Sequence, residues 1–464
     1  MKTIHLVAAC GTAMGSLAGI LKQKGYNVTG SDQNVYPPMS TQLEAIGVKL
    51  MNGYKAENLA HKPDLVVIGN AIRKDNPEAR AAIDGGMKYV SFTDALAEYF
   101  LAGKAPIVIG GTHGKTTTTS LMAQVLIAAG QDPSVFVGGI AQNLGGSFRI
   151  GQGPYAVLEG DEYDTAFFDK TPKFWHYLVR HALVTHLEYD HADIYASIEA
   201  VEAAFAKFIT LVPADGTITV CASAPRLMKQ LGGAKAPVES YSVHVPADWT
   251  IANLRLSPDA SSFDVLKKGV RIGEFRVPMV GMHNIENALG VIAVTVRLGL
   301  APESVAQGLK GFAGVKRRLE IRGEVNGVAV VDDFAHHPTA VKATVGACRQ
   351  KFQDRRIIAI FEPRSQTSRR KVFQREYELA FDGAAAAFIM EPFGTDSLKP
   401  EERFEPSDLA ASLRERGIDA HACKTVEDIV SRVRSIARPH DVVLVMSNGG
   451  FGGIHDKLLA ALAV

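Results

Sequence analysis

The run Ile107-Val108-Ile109-Gly110-Gly111-Thr112-His113-Gly114-Lys115-Thr116-Thr117-Thr118-Thr119 constrains this chain more than any other. A buried-strand pattern from Pro106 to Gly110 enters a Gly-rich turn, and a helical pattern from Thr116 to Ala129 leaves it. In that setting the glycines let backbone N–H groups turn inward around phosphate oxygens. The helix start adds its partial positive charge. Lys115 can bridge the β- and γ-phosphates of a nucleotide, and the Thr116 hydroxyl can ligate Mg²⁺. The loop is shorter than the general Gly-x4-Gly-Lys pattern, which would need glycine where Ile109 stands. A strand–turn–helix of this kind belongs to an α/β fold with a parallel sheet.

The rest of the chain repeats that alternation in three units. In the first, Ile4 to Ala9 reads as a buried strand, Gly11 to Gly15 as a turn and Leu17 to Lys24 as a helix. Asn27 to Asp32 and Leu65 to Asn70 are further strands, the first ending in an acid. A second unit starts near Lys104, with strand runs at Ala156 to Leu158 and Ala182 to Leu187 and a long amphipathic helix at Asn284 to Leu298. The strand- and turn-rich segment Thr217 to Val277 is expected to cover one side of the central sheet. In a third unit, Gly327 to Asp332, Arg356 to Phe361, Ala385 to Met390 and Val442 to Met446 are strand runs separated by helices. Ligands of such sheets sit outside the carboxyl ends of the strands. The expected boundaries are 1–103, 104–315 and 316–464.

At 464 residues the chain has room for such a division. Lys plus Arg is 50 against 49 for Asp plus Glu, so no general field draws nucleic acid or an anionic membrane. An anion must be held by a local site. Cys10, Cys221, Cys348 and Cys423 are far apart, which is neither a disulfide framework nor a zinc site, and a reducing compartment follows as the natural reading. The uncharged stretch Pro133 to Phe148 is too short and Gly-rich to span a bilayer. Val7-Ala8-Ala9-Cys10 looks like a lipoprotein cleavage box, but the apolar run before it is too short for a signal segment. A buried strand running into a turn, and a cytoplasmic location, are expected instead. The sequence sets no oligomeric state.

The shortened loop Gly111-Thr112-His113-Gly114-Lys115-Thr116-Thr117-Thr118-Thr119 resembles that of the Mur ligases, ATP-dependent amide-forming enzymes of bacterial cell-wall synthesis. Glu159-Gly160-Asp161-Glu162-Tyr163-Asp164 is similar to the family's acidic block, and Glu188-Tyr189-Asp190-His191-Ala192-Asp193 to its Asp-His block. Gly281 to Ala288, Lys316 to Glu320 and Asp332 to Thr339 resemble its helix start, domain junction and third-domain signature. Gly160 stands where the family usually has Ala, and His186 where it usually has Asn. The resemblance implies a Rossmann-like N-terminal UDP-binding domain, a central P-loop ATPase-like domain and a C-terminal Rossmann-like domain. Two branches start from UDP-N-acetylmuramate. One adds L-alanine; the other reattaches a recycled tripeptide, L-Ala-γ-D-Glu-meso-diaminopimelate. The chain resembles the second through Val35 to Ser40, Glu162 to Lys170, Phe361-Glu362-Pro363-Arg364-Ser365 and Ser447 to His455.

Amide formation from a carboxylate needs an activated acyl group, which ATP supplies as an acyl phosphate. Glu159 and His191 each follow a buried strand and can reach a nucleotide at the sheet edge. The resemblance implies Lys115, Glu159 and His191 as catalytic, with Thr116, Glu159 and His191 holding Mg²⁺. Gly111, Thr112, His113, Gly114, Lys115, Thr116 and Thr117 would hold ATP, joined by Asn284, Asn287, Arg318, Asp333 and His337. Taken alone, Asn284 reads as an N-cap. Gly11, Thr12, Met14, Gly15, Ser31, Asp32, Asn70 and Ala71 would hold the UDP-sugar, Asp32 at the ribose position of dinucleotide folds. Arg364, Arg369, Arg370 and Lys371 follow the strand ending at Phe361, and planar Arg forks suit carboxylates. Arg364 is the expected peptide-binding cation, while Arg369 to Lys371 also read as a solvated helix face. UDP-N-acetylmuramate, tripeptide and ATP are then small-molecule partners.

Overall fold

A computed structural model describes residues 2–35, 39–395 and 398–463. Tyr36, Pro37 and Pro38, part of the segment that resembles the tripeptide branch, lie outside the described residues. The chain divides into two compact units: residues 1–188, 199–249 and 290–313, and residues 189–198, 250–289 and 314–464.

The first unit holds two sheets. The N-terminal one contains β1 (Thr3–Val7), β2 (Asn27–Asp32), β3 (Lys49–Asn52), β4 (Leu65–Ile68) and β5 (Tyr89–Ser91) in the order β3-β2-β1-β4-β5, all parallel. Helices α1 (Thr12–Gln23), α2 (Met39–Ala45) and α3 (Pro77–Asp84) lie between its strands, and α4 (Phe92–Leu96) follows β5. The order reverses between β1 and β4, so the turns after these two strands flank the crevice where such sheets bind ligands. Val7-Ala8-Ala9-Cys10 is the end of β1 and its turn, as expected.

The central sheet is formed by β6 (Ala105–Gly110), β7 (Ser134–Ala141), β8 (Gly146–Arg149) and β9 (Tyr155–Glu159), a hairpin β10 (Asp164–Ala166) and β11 (Asp169–Pro172) lying outside it, then β12 (His181–Val184), β13 (Thr217–Cys221) and β14 (Val238–Tyr241). The order across the first unit is β14-β13-β12-β6-β9-β7-β8. Thus β13 and β14 do not cover a face of the sheet; they extend its parallel edge, because Ile218 and Val220 alternate with buried Thr219 and need both faces covered. Helices α5 (Lys115–Ala128), α6 (Ile198–Leu211) and α7 (Pro225–Met228) belong to this region. The two sheets pack through aromatic rings: Phe148 fills the notch at Gly19, where a Cβ would lie 2.5 Å from its ring, and Phe92 meets Phe136 at 5.6 Å.

In the second unit β15 (Trp249–Leu256), β16 (Ser261–Lys267) and β17 (Val270–Val277) are neighbours in that order, β16 and β17 antiparallel; only Trp249 of β15 belongs to the first unit. Helix α8 (Met282–Arg297) starts there and α9 (Pro302–Lys310) follows it in the first unit. The third sheet contains β18 (Glu320–Val325), β19 (Val328–Asp333), β20 (Ile357–Phe361), β21 (Ala386–Met390), β22 (Asp419–Cys423) and β23 (Val442–Met446) in the order β18-β19-β23-β20-β21-β22. Only β18 is antiparallel. Helices α10 (Pro338–Phe352), α11 (Pro406–Glu415), α12 (Val426–Ile436) and α13 (Ile454–Leu462) build apolar layers on both faces. Every residue of β20 and β23 is buried, which makes their unbroken apolar runs central strands. Truncating a ring such as Phe361 to Ala would cost about 3–5 kcal/mol. Met446 pairs with both Asp333 and Phe361, so the segments after β19, β20 and β23 leave one edge side by side.

Candidate active site

The register of the central sheet assembles the first part of the site. Ile109 pairs with Glu159 on one side, and Gly110 pairs with Val184 on the other. The phosphate loop therefore emerges between the acidic block and the segment Thr185–Glu188. Gly111 has φ 134°, and a Cβ there would lie 2.1 Å from the Thr185 hydroxyl. Gly114, at φ 79°, precedes α5. Both positions need glycine, for backbone conformation and, at Gly111, for space. The Thr112 N–H donates to the His186 carbonyl at 2.9 Å, and Thr185 donates to the His113 carbonyl at 2.5 Å. The bond from Thr112 uses the backbone of His186, so the departure from Asn at this position leaves it intact.

Lys115 donates to the Gly111 carbonyl and to Glu162 Oε1, both at 2.7 Å. Burial would lower the Lys115 ammonium, but the Glu162 charge and hydrogen bond, with Glu159 and Asp161 beyond, raise it above its ordinary value. Thr116 donates to Glu159 Oε1 at 2.8 Å, and the Gly138 N–H donates to Glu159 Oε2 at 2.7 Å. A hydroxyl and a carboxylate side by side are hard oxygen donors of the kind Mg²⁺ takes. His113 Nε2 lies 3.0 Å from Glu188 Oε2. Thr117 is buried in the first turn of α5. Glu162 and Glu188 were not expected as site residues. Their signal was an acid close behind an apolar strand run, present for Glu162 in the quoted acidic block and for Glu188 at the start of the quoted Asp-His block.

At the N-terminal sheet, Gly11 and Thr12 are exposed at the turn after β1, and Asn70 and Ala71 are exposed at the turn after β4. Asp32 ends β2 and accepts the Cys10 N–H at 2.9 Å. Tyr54, unforeseen in the sequence, lies beside it; burial and then the Asp32 charge push its phenol up to about 12. Met14, Gly15 and Ser31 lie underneath this edge. A Cβ on Gly15 would meet Met39 Sδ at 2.6 Å, and the fully buried Ser31 hydroxyl donates to Glu78 Oε1 at 2.8 Å. Their side of the site is therefore backbone and support, not open side chain.

The second unit gathers the remaining residues in three places. His191 sits at φ 55°, and its N–H donates to Asp190 Oδ1 at 2.8 Å. Thr367 donates to the same oxygen at 2.6 Å and accepts from the Ala192 N–H at 3.3 Å. Burial would raise the Asp190 carboxyl, yet His336 beside it and the charges of His191 and His337 hold it well below the carboxylate range. Asn284 and Asn287 lie in the first turns of α8. Asn284 does not cap that helix; its amide donates to the Val280 carbonyl at 2.8 Å. At the end of β19, Asp333 accepts the N–H groups of Leu319 and Ala335, each at 2.8 Å. Burial raises its carboxyl and the Arg318 charge opposes that. Arg318 lies over the Phe334 ring at 5.1 Å, and His337 caps α10 by accepting the Thr339 N–H at 3.3 Å.

Arg364 follows β20 and donates to Glu362 Oε1 at 3.2 Å. Arg369 and Arg370 do not form a solvated helix face, because this segment is a chain of turns. Arg369 donates to the carbonyls of Phe393 and Gly394, and Arg370 lies 3.5 Å from Glu402.

Three family models match the chain: the Mur ligase family catalytic domain over residues 3–103, the Mur ligase middle domain over 109–295, and the Mur ligase glutamate ligase domain over 317–449. A UDP-N-acetylmuramate–L-alanyl-γ-D-glutamyl-meso-2,6-diaminoheptandioate ligase from Escherichia coli strain K12 is 40% identical over 99% of this chain and 98% of its own. The chain belongs to the Mur ligase family. A murein peptide ligase from Psychrobacter arcticus 273-4, known as a crystal structure, is 35% identical with a TM-score of 0.73, covering 100% of this ligase and 99% of that chain. A UDP-N-acetylmuramate–L-alanine ligase from Geobacter sp. strain M21 is 34% identical over 100% of this ligase and 98% of its own length. The ligase has the α/β three-domain architecture of the family. Among its described residues no helix is long and apolar enough to cross a membrane.

Proposed function

We propose that this Mur ligase joins L-Ala-γ-D-Glu-meso-diaminopimelate to UDP-N-acetylmuramate with hydrolysis of ATP to ADP and phosphate, in peptidoglycan recycling. The observation that carries the reading is the full-length 40% identity to a relative named for that reaction, against 34% for one named for L-alanine. A lactyl carboxylate oxygen takes the γ-phosphoryl group and ADP leaves. The peptide's α-amine then attacks the acyl carbon, loses a proton, and the tetrahedral intermediate expels phosphate. Lys115, kept charged by Glu162, neutralises the transferring group where negative charge develops. Magnesium, when bound, would screen the carboxylate from the phosphates, with Thr116 and Glu159 as its oxygen donors and His191 assigned to a second ion.

The exposed N-terminal turns with Asp32 would receive the UDP-sugar. Asn284, Asn287, Arg318, Asp333 and His337 would complete the nucleotide site, and Arg364 would take a peptide carboxylate. Domain boundaries at 1–103, 104–315 and 316–464 and a cytoplasmic location belong to the same reading. The test is a ligation assay offering L-alanine and tripeptide separately, read by product mass. Tripeptide should be joined far more efficiently, and Arg364→Ala should raise its KM at least about tenfold. More efficient use of L-alanine would make the chain the biosynthetic ligase instead. Phosphate release needing neither UDP-N-acetylmuramate nor an amine would make it a nucleotide-driven switch.

A further inference from the structure

Phe393, in the segment after β21, is 69% exposed. Nothing in the fold needs a large ring in water there, yet two arginines hold it. The Cζ of Arg364 lies 5.5 Å from the ring centroid. From beneath, Arg369 Nη1 donates to the Phe393 and Gly394 carbonyls, each at 2.9 Å. Gly394, at φ 67°, supplies the left-handed turn that aims both carbonyls at one guanidinium. Arg364 is confined from two further directions. Its Nη1 bonds Glu362, whose other oxygen accepts the Ser447 hydroxyl. Its aliphatic stem lies across Gly449, where a Cβ would come within 2.2 Å of Cδ. Even so, 41% of the Arg364 side chain faces solvent.

An arginine held over a ring and pinned at one nitrogen keeps its guanidinium confined, which spares ordering cost when a carboxylate arrives. We propose that Phe393 is a specificity-determining residue that backs Arg364 for one carboxylate of the incoming peptide. Arg369 is the positioning residue that holds Phe393 there through its backbone. This rests on the peptide-ligase reading above. The ligand class is a peptide with several carboxylates, as against a single amino acid.

Steady-state kinetics of the full-length enzyme, varying tripeptide, ATP and UDP-N-acetylmuramate in turn, test it. Phe393→Ala should raise the tripeptide KM about fivefold, with kcat and the other two KM values within about twofold. Phe393→Tyr, which keeps a ring, should stay near wild type, and Phe393→Leu should behave like Ala. Arg369→Ala should raise the tripeptide KM about threefold with no change in the other two; if it fails to fold, Arg369→Lys replaces it. A normal tripeptide KM in Phe393→Ala beside a raised one in Arg364→Ala would overturn the stacking role and leave the peptide site standing. Failure of Tyr to rescue would overturn it too. Normal tripeptide KM values in both Arg364→Ala and Phe393→Ala would remove the peptide-site assignment itself.

Discussion

At the phosphate loop Lys115 bonds Glu162, Thr116 bonds Glu159 and His113 bonds Glu188, whereas at the edge of the third sheet Asp333 takes the backbone N–H groups of Leu319 and Ala335. The first set joins side chain to side chain. Each contact pairs two side chains that can rotate apart, at the cost of one backbone bond at Lys115, to the Gly111 carbonyl, and one at Glu159, from the Gly138 N–H. The second set ties side chain to main chain. Arg317 extends it, donating to the carbonyls of Ser447 and Gly449, and Glu320 accepts the Arg317 N–H at 2.8 Å. Losing Asp333 strands the buried Ala335 N–H, at about 1–3 kcal/mol, and frees the half-buried Leu319 N–H. One edge is held mainly by side-chain pairs and the other mainly by backbone.

That contrast breaks most visibly at Lys115. Lys115→Ala should fold like wild type by circular dichroism and lose at least about a hundredfold in turnover. A folded variant with near-normal turnover would end the phosphate-loop assignment. Asp333→Ala should do the reverse in proportion, lowering thermal stability as well as activity, since a keeper of backbone groups is removed. If Asp333→Ala melts like wild type, its backbone bonds do not hold the fold. Glu159→Ala should raise the Mg²⁺ concentration giving half-maximal rate, and His191→Ala should raise it or collapse turnover. Titration curves identical to wild type would remove both from the metal assignment.

Thr367 sharpens the comparison, because its hydroxyl works on side chain and main chain at once. Thr367→Val should reduce kcat by about tenfold, the effect of one lost buried hydrogen bond of roughly 1.4 kcal/mol, and Thr367→Ser should restore it. Equal loss in Val and Ser would mean that packing matters there and the hydroxyl does not.

The smallest expected effect concerns acid. Burial, then the Arg180 and Arg297 charges, hold the His181 imidazole down to about 4. The folded state keeps this ring neutral, so its contribution is complete above about pH 6.5 and is lost as pH falls through 4. In the acidic block burial would raise Asp161, but Lys173 at 2.6 Å holds it down to about 2. Its contribution is full above the ordinary aspartate range and is lost as pH falls from there through about 2. Between pH 6 and 4 His181 should therefore contribute to the loosening, alongside His61, whose imidazole burial also holds below its ordinary value, and His181→Asn should partly flatten a plot of melting temperature against pH over that interval. An unchanged slope would assign it to other groups.

Much of this was legible in the chain itself. Asn27–Asp32 was delimited to the residue, and the phosphate-loop strand and helix to within one, because a glycine lies close to a boundary of each. The third sheet was read four strands deep and is six. Glu320–Val325 and Asp419–Cys423 are edge strands with charged or small residues, and an edge leaves no apolar signature to find. The site was legible where backbone dictates the residue type, as at Gly111 and Gly114. It was illegible where residues far apart in the chain meet, as Thr367 and Asp190 do, since only the folded register makes them neighbours. Ser31, also expected at the UDP-sugar site, is turned inward by strand alternation to Glu78, a contact the sequence does not reveal.

The crossing into the third sheet carries a consequence for rebuilding the enzyme. Arg317 and Leu319 sit at φ 61° and 48°, and this two-step left-handed kink is stitched to β19 and to the segment after β23. The kink thus travels with the third sheet as part of its own wiring. A chimera that exchanges that sheet should be spliced ahead of Arg317, near Gly314, whose φ of 91° favours glycine. A splice after Leu319 would hand the new sheet a foreign clasp, and the recombined protein would inherit a loose joint in place of a fitted one.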